Sequence, residues 1–172
     1  MESCIGIYKR CFLGFEIETN PTKIIFRIYW TLQQLLRKKL INSDRCWRCN
    51  SINASLIHML WKCPVIYLLW MEVLAYINKV LGKSLLFENI HVILNYIPTV
   101  WGLTKGQQNW ILRALMVAKR LILKAWKDNH PPPFTQWSED LRQLASFEQI
   151  SYRKQLREDI YIDIWKPFID SL

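Results

Sequence analysis

Three features of the 172-residue sequence predict an all-α fold, an irregular helical domain. Apolar residues recur every three or four positions through the long segments, which is the spacing of one helix face. Strand-like alternation does not persist beyond about five residues. Apolar residues make up 51% of the chain and include nine Trp, so a chain of this length can bury a substantial core. We therefore expect one helical domain over residues 20–172, after a loose lead-in at 1–19.

Residues that commonly cap helices mark where the predicted helices begin and end. Asn20-Pro21 starts the first helix, which is expected to reach about Leu40. The second runs from Pro64 to the residue before Gly82. Because apolar residues surround most of this second helix, neighbouring elements should cover it on several sides.

Further helices are predicted in the second half of the chain. A short one around 87–96 precedes a turn between Pro98 and Gly102. Thr104 is expected to cap the longest, at about 105–128.

Three consecutive prolines, at 131–133, then force an extended break. Thr135 is expected to cap a helix that continues or restarts from about 136 to Asp159. A final short helix contains Trp165.

Four potential metal ligands lie within 46–63, with the spacing Cys-x2-Cys-x8-His-x4-Cys: Cys46, Cys49, His58 and Cys63. Zinc prefers four such ligands in a tetrahedron, with thiolate sulfur and imidazole nitrogen as donors. The Cys-x-x-Cys pair can form a tight knuckle, and the His-x4-Cys pair has a spacing of about one helical turn plus one residue. The pattern predicts a small Cys3His zinc knuckle near the N-terminal third of the helical domain.

Two other interpretations of these residues remain open. Cysteine is often buried, and His58 and Cys63 have apolar neighbours, so both could be ordinary core residues. A Cys-x-x-Cys pair can also be redox-active, although such pairs usually follow a strand in a βαβ pattern, which this sequence does not predict. If zinc is bound, four protein ligands leave no open position, so the predicted role is structural rather than catalytic.

The charge of the chain favours an anionic partner. The formal net charge is +9, with an isoelectric point near 9.4, which points to nucleic acid before an acidic membrane surface. Residues 1–133 hold eighteen Lys and Arg against seven Asp and Glu, so the excess lies in the part that contains the knuckle. Neither a signal peptide nor a membrane-spanning run is predicted. The odd number of five cysteines fits a reducing compartment, so we expect an intracellular protein, in the cytoplasm or nucleus, with no membrane partner.

Candidate contacts to RNA or another single-stranded nucleic acid fall into two groups. In the knuckle, Trp47 could stack on an unpaired base, while Arg45, Arg48 and Lys62 could hold phosphates. Trp61 has apolar neighbours and is at least as consistent with a core position. The second group shares one face of the predicted helix at 105–128 and consists of Arg113, Arg120, Lys124 and Lys127. A solvated helix face without function explains this second group equally well.

Motifs of several enzyme classes are missing from the sequence. There is no glycine-rich phosphate loop, no Gly-x-Ser-x-Gly and no His-Glu-x-x-His. The acidic pairs Glu139-Asp140 and Glu158-Asp159 lie in polar helical segments. We therefore expect a binding protein that is not an enzyme.

The knuckle residues also carry a resemblance to a known family. Cys-Trp-Arg-Cys at 46–49 and His-Met-Leu-Trp-Lys-Cys-Pro at 58–64, followed by an aromatic-rich helix, resemble the Cys/His segment near the C-terminus of the reverse transcriptases of LINE-type (non-LTR) retrotransposons. That family often has glycine or another small residue after the second Cys, where this chain has Asn50.

The resemblance continues on both sides of the knuckle. Arg-Ile-Tyr-Trp-Thr at 27–31 is similar to the family's Arg-x-Tyr-x-Thr-Pro segment, with Leu32 in place of the proline. The first predicted helix is therefore expected to run on where the family breaks it. The tail has a similar order of residues, carried by Trp126, Lys127, Trp137, Glu148 and Trp165.

In that family the segment follows the polymerase and is implicated in holding template RNA. The resemblance therefore implies a non-catalytic module, with Cys46, Cys49, His58 and Cys63 as zinc ligands and a reverse transcriptase polyprotein as its context. Because the chain starts at Met1 without an endonuclease or polymerase, we expect a truncated or domesticated copy. The alternative is a structural or protein-interaction domain with a purely structural zinc site, which could self-associate.

Overall fold

The computed structural model describes residues 30–171 and confirms the all-α class, because this range contains helices and turns but no β-strand. Residues 1–19 and the first half of the first predicted helix, up to residue 29, lie outside the described residues. A π-helical turn at His58–Lys62 precedes α2, and a 3-10 turn at Thr99–Trp101 precedes α4. The α-helices of the described range are α1 (Leu32–Arg37), α2 (Pro64–Leu81), α3 (Asn89–Leu94), α4 (Lys105–Lys124), α5 (Phe134–Lys154) and α6 (Glu158–Ile169).

Helices α2, α4, α5 and α6 enclose the core, and each contributes one fully buried tryptophan: Trp70, Trp110, Trp137 and Trp165. A buried indole N–H usually finds an acceptor, and among these four tryptophans only Trp110 has none. Nε1 of Trp70 donates to the carbonyl oxygen of Leu60 at 2.8 Å, and Nε1 of Trp137 donates to that of Ala114 at 3.0 Å. These bonds join α2 to the π-helical turn and α5 to α4.

A buried ion pair joins three of these helices. Nε of Arg113, in α4, lies 2.8 Å from Oε2 of Glu148, in α5. Nε1 of Trp165, in α6, donates to the same carboxylate oxygen at 2.8 Å. Because both charges are withdrawn from water, removal of either partner would leave an uncompensated charge in the core.

The predicted ends of α2 and the predicted cap of α4 are confirmed. Pro64 occupies the first turn of α2, and Gly82 follows its last residue with φ 60, the left-handed conformation that glycine adopts without strain. The hydroxyl of Thr104 accepts a hydrogen bond from the backbone N–H of Gln107 at 3.2 Å. Helix α4 ends at Lys124, earlier than the predicted end near residue 128.

The first predicted helix does not continue through Thr31. Thr31 is instead the N-cap of α1, where its hydroxyl accepts from the backbone N–H of Gln34 and its own N–H donates to Oε1 of Gln34. This reciprocal capping box starts the helix at Leu32. Leu32 thus takes the first helical position, which is also the position that tolerates proline best.

The start of α5 was also predicted wrongly. The helix begins at Phe134 with Pro133 as its N-cap, so Thr135 lies inside the first turn. Pro133 has the extended backbone of an N-cap residue, with φ −71 and ψ 146, and its carbonyl accepts from the N–H of Gln136 at 3.1 Å. The proline break itself therefore supplies the cap.

Helix α2 is long and apolar enough to cross a membrane by length and composition, with a mean hydropathy of 1.4 over 18 residues. Core helices of soluble proteins share this property. One face of α2 packs in the core through Ile66, Leu69, Trp70, Val73 and Ile77. Its opposite side carries the exposed residues Tyr67, Leu68, Met71 and Glu72.

Candidate metal centre

The first two candidate ligands lie in a turn that backbone hydrogen bonds close. The N–H of Asn50 donates to the carbonyl of Cys46 at 2.7 Å, and the N–H of Cys46 donates to the carbonyl of Ser51 at 2.8 Å. Asn50 has φ 60, a left-handed conformation that Asn adopts more readily than most residues and Gly adopts most readily. Asn50 therefore takes a backbone conformation that glycine would also adopt without strain.

The π-helical turn brings the other two candidate ligands to one side. The N–H of Cys63 donates to the carbonyl of His58 at 2.8 Å, which is a hydrogen bond across five residues. In a regular α-helix, side chains five residues apart point roughly 140° away from each other. The wider turn removes most of that angle, so that Cys63 lies on the same side as His58. Pro64 then keeps Cys63 extended, at φ −62 and ψ 122, as the N-cap of α2.

The four candidate donor atoms converge, as the sequence spacing predicts. The sulfurs of Cys46, Cys49 and Cys63 and a ring nitrogen of His58 all lie within 4.8 Å of one another. Sγ of Cys46 is 3.9 Å from Sγ of Cys63, and Sγ of Cys49 is 3.3 Å from Nε2 of His58. In a tetrahedral site with ordinary zinc–ligand bond lengths, two donor atoms are about 3.5–3.8 Å apart. The residues present therefore fit a four-coordinate metal ion.

The pKa values of Cys63 and Cys49 are shifted in opposite directions. Burial raises the pKa of the Cys63 thiol to about 11, even though backbone N–H groups of Ile66 and Val65 donate to its sulfur. Burial also acts to raise the pKa of Cys49, but hydrogen bonding with the side chain and backbone of Ser51 outweighs it, and the pKa is lowered. A metal ion that binds these thiolates must therefore displace a firmly held proton from Cys63.

His58 is biased towards the form that binds metals. Its burial, together with the positive charge of Arg48, lowers its pKa below the ordinary value. Because a metal ligand must be the neutral imidazole, a lowered pKa keeps the ring ready to bind near neutral pH. Nε2 is the ring nitrogen that faces Cys49, and it is therefore the candidate donor atom.

Arg48, between the first two cysteines, is anchored to the end of α4. Its guanidinium donates to the carbonyl oxygens of Ala125 at 2.7 Å, Trp126 at 2.9 Å and Asp128 at 3.1 Å. A fourth bond reaches Met59 at 3.3 Å. Helix ends leave such carbonyls without helical partners, and a cation there also meets the negative end of the helix dipole. The guanidinium of Arg48 therefore makes its hydrogen bonds within the fold, whereas the sequence analysis predicted a phosphate contact for it.

Trp47 is held at the same helix end. Its Nε1 donates to the carbonyl of Trp126 at 2.9 Å, and its half-buried ring packs against the core. The base-stacking role predicted for Trp47 therefore stays a prediction, with its N–H engaged within the fold and its ring half-buried. Trp61 is half-buried as well, with its ring 5.8 Å from the rings of Tyr67 and Trp70, which agrees with the core alternative.

The cations predicted on α4 do not form one exposed row. Arg113 is only 2% exposed and is paired with Glu148, so the prediction that it contacts phosphate is wrong. Arg120 is half-buried, while Lys124 and Lys127 are exposed near the end of α4 that holds the knuckle.

Next to the ligands, Arg45 and Lys62 are exposed, as a phosphate contact requires. Arg45 donates to the carbonyl of Asn50 at 3.2 Å.

Sequence reasoning assigned no binding role to Trp30, whereas the basic run of Arg37, Lys38 and Lys39 was considered equally as a phosphate contact and as a charge cluster at a helix end. Trp30 is 49% exposed, and Nζ of Lys38 lies 4.5 Å from the centre of its ring. The carbonyl of Trp30 accepts a hydrogen bond from Nε1 of Trp126 at 3.3 Å, which places it beside the helix end that holds the knuckle. A Trp shortly before the basic run at 37–39 was the available signal in the sequence.

No protein-family model matches this chain. The candidate centre is therefore defined by its own geometry: three cysteines and one histidine that converge, in a knuckle fastened by Arg48 and Trp47 to the end of α4.

Proposed function

We propose that this protein is a zinc-binding module that holds RNA or another single-stranded nucleic acid without catalysing a reaction on it. We also propose that it is related to the C-terminal Cys/His segment of LINE-type reverse transcriptases, on the strength of the residues at 46–64. The observation that carries the proposal is the convergence of the four donor atoms within 4.8 Å. Three sulfurs and one imidazole nitrogen form a donor set that binds zinc in preference to most other cellular metals.

Zinc would be held by Cys46, Cys49, His58 and Cys63, and it would supply a cross-link between the knuckle turn and the start of α2. A Zn²⁺ ion with three thiolates and one neutral imidazole carries a net charge of −1, from the ionic charges of these ligands. Arg48, whose charge interacts with all three cysteines, offsets that charge. Since protein ligands take all four tetrahedral positions, the expected role is structural.

Exposed cations beside the knuckle support the nucleic-acid part of the proposal. Arg45 and Lys62 flank the ligands, and Lys124 and Lys127 lie near the helix end that Arg48 holds. Such cations bind phosphates in a way that is independent of base sequence and weakens as salt is added. The net charge of +9 also attracts a polyanion to the chain over longer distances.

The test measures zinc content and RNA affinity on the full chain. We expect one zinc per chain, and binding of a fluorescent single-stranded RNA that weakens steeply between about 50 and 200 mM salt. Cys46→Ser should lose zinc and most of the RNA affinity, because the knuckle loses a ligand. Cys11→Ser, which changes a cysteine that is not one of the four candidate ligands, is the matched control and should behave as the wild type.

Each part of the proposal can fail separately. A chain that binds RNA equally well after chelation would show that zinc does not organise the binding surface. A zinc-loaded chain that does not bind RNA would remove the nucleic-acid part and leave a structural zinc. A chain that takes up no zinc would overturn the metal centre itself.

A structural or protein-interaction role is the second candidate, and two observations favour it. The hydrogen-bonding groups of Trp47 and Arg48 are engaged within the chain rather than facing a ligand. Leu68 and Met71 are exposed by 63% and 54% on the outer side of α2. Sedimentation velocity at micromolar concentration tests this role: self-association that Leu68→Glu abolishes would support it, and a monomer would count against it.

A further inference from the structure

Trp30 differs from the other eight tryptophans of this protein in its exposure. All nine lie in the described range, and the other eight are buried or half-buried, whereas the side chain of Trp30 is 49% exposed. Large aromatic side chains ordinarily withdraw from water, so an exposed indole with a fixed backbone is a candidate contact surface.

The backbone of Trp30 is anchored to the part of the fold that also holds the knuckle. Its carbonyl accepts from Nε1 of Trp126 at 3.3 Å, and the carbonyl of Trp126 accepts from Nε1 of Trp47 at 2.9 Å. The same carbonyl accepts from Arg48 at 2.9 Å. The backbone of Trp30 is thereby held beside the end of α4, where Lys124 and Lys127 are exposed.

The surroundings of the ring are cationic. Nζ of Lys38 lies 4.5 Å from the ring centre, and Arg37, Lys38 and Lys39 are all exposed at the end of α1. An aromatic ring beside exposed cations is an arrangement with which proteins bind single strands, because bases stack on the ring while cations hold the phosphates. The cations thus favour a polyanion over an uncharged partner. The exposed ring favours a polyanion that has free bases.

We propose that Trp30 and Lys38 form a base-stacking site for single-stranded nucleic acid. An unpaired base stacks on the indole of Trp30, and the ammonium of Lys38 moves from the ring to the neighbouring phosphate. A cation over an exposed ring contributes less free energy than a stacked base, so the base displaces it. This inference rests on the proposed function, and it assigns the stacking role to Trp30 instead of Trp47, whose N–H is already bonded to Trp126.

Binding of a labelled single-stranded RNA by the zinc-loaded chain tests the site. Trp30→Ala should raise the dissociation constant roughly five- to 150-fold, the range for loss of one stacked base. Trp30→Phe should retain most of the affinity. Lys38→Gln should weaken binding less and reduce the salt slope by about one phosphate contact. Tyr96→Ala is the control, because Tyr96 is 54% exposed and lies after α3, away from the knuckle in sequence.

A direct readout avoids reliance on the alanine variant. The chain labelled with 5-fluorotryptophan has nine fluorine signals, and the signal missing from Trp30→Phe identifies Trp30. The RNA should shift this signal in the otherwise unchanged chain. Unchanged zinc content in each variant checks that the fold is kept.

The outcomes separate this inference from the proposed function. If the zinc-loaded wild type binds RNA, but the Trp30 signal does not shift and Trp30→Ala binds like Tyr96→Ala, the stacking site is wrong and the proposed function stands. If the zinc-loaded wild type does not bind RNA, both fail.

Discussion

The guanidinium of Arg48 donates a hydrogen bond of 2.7 Å to the carbonyl oxygen of Ala125, at the end of α4. Arg48 lies between two candidate metal ligands, while Ala125 is the residue that ends the longest stretch of core helix before the proline break. The bond therefore couples the metal centre to the core across 77 positions of sequence. Any ligand-induced change in the knuckle is expected to reach the end of α4 through this contact.

The substitution Arg48→Met tests that coupling. It removes four hydrogen bonds to backbone carbonyls, and we expect it to lower the free energy of unfolding of the zinc-loaded chain by about 2 kcal/mol or more. Arg45→Met is the matched control, because Arg45 is exposed and its expected effect is within about 0.5 kcal/mol. Urea unfolding measures both, and equal effects would show that the helix end does not depend on Arg48.

Asn50 should be replaceable by glycine but not by a β-branched residue. Its φ of 60 suits glycine, so Asn50→Gly should leave stability nearly unchanged. Asn50→Val should cost about 1–2 kcal/mol, since the branched side chain of valine crowds the backbone at positive φ and cannot form the local hydrogen bond that helps Asn adopt it. Asn42→Val is the control, because Asn42 is exposed and is not among the described residues with positive φ. Denaturant unfolding, with zinc affinity measured alongside, would contradict the strain argument if both valine variants behaved alike.

The buried pair of Arg113 and Glu148 gives a prediction about charge rather than size. Arg113→Met leaves the Glu148 carboxylate in the core without its cation, so we expect a loss of about 3–5 kcal/mol. The double variant with Glu148→Gln should recover part of this, because the amide oxygen can still accept from Trp165.

An exposed ion pair provides the comparison for the buried pair. Arg153 and Glu158 are 2.6 Å apart but largely solvent-exposed, so Arg153→Met should cost less than about 1 kcal/mol. Thermal and urea unfolding of the three variants measure these differences. A double variant less stable than Arg113→Met would contradict the view that the unpaired carboxylate is the main penalty.

Lys119 makes stability depend on pH. It is 3% exposed, its ammonium donates to Oδ1 of Asn95, and burial lowers its pKa to about 7. Between about pH 7 and its unfolded value of about 10.5, the unfolded chain binds a proton at this lysine that the folded chain does not. Stability therefore rises with pH in this window, by up to about 1.4 kcal/mol per pH unit. Below pH 7 the lysine is charged in both states, and the full cost of burying its ammonium is present.

Lys119→Met should remove this dependence, because methionine does not titrate. The variant's advantage in free energy of unfolding over the wild type should shrink as the pH is raised from 7 to 9. Lys79→Met, at an exposed position on α2, is the control and should show no such trend. A constant difference between Lys119→Met and the wild type across this range would mean that Lys119 keeps an ordinary pKa.

Local patterns predicted the parts of this protein that depend on neighbouring residues. Pro64 and Gly82 define the ends of α2, and Thr104 caps α4, because each acts on backbone groups within a few positions. The four candidate ligands were predicted from their spacing for the same reason. The start of α5 was not, because three prolines could place the helix start at more than one residue.

Tertiary packing decided the rest. Arg113 shares a helix face with exposed lysines, but its pairing with Glu148 depends on how α5 crosses α4, which no periodicity in α4 encodes. The π-helical turn that aligns His58 with Cys63 likewise depends on where α2 and the knuckle meet. The sequence by itself determined the helical class and the set of donor atoms. Only the folded chain decided which cations and tryptophans face solvent, because burial of a charge or an indole depends on acceptors supplied by distant segments.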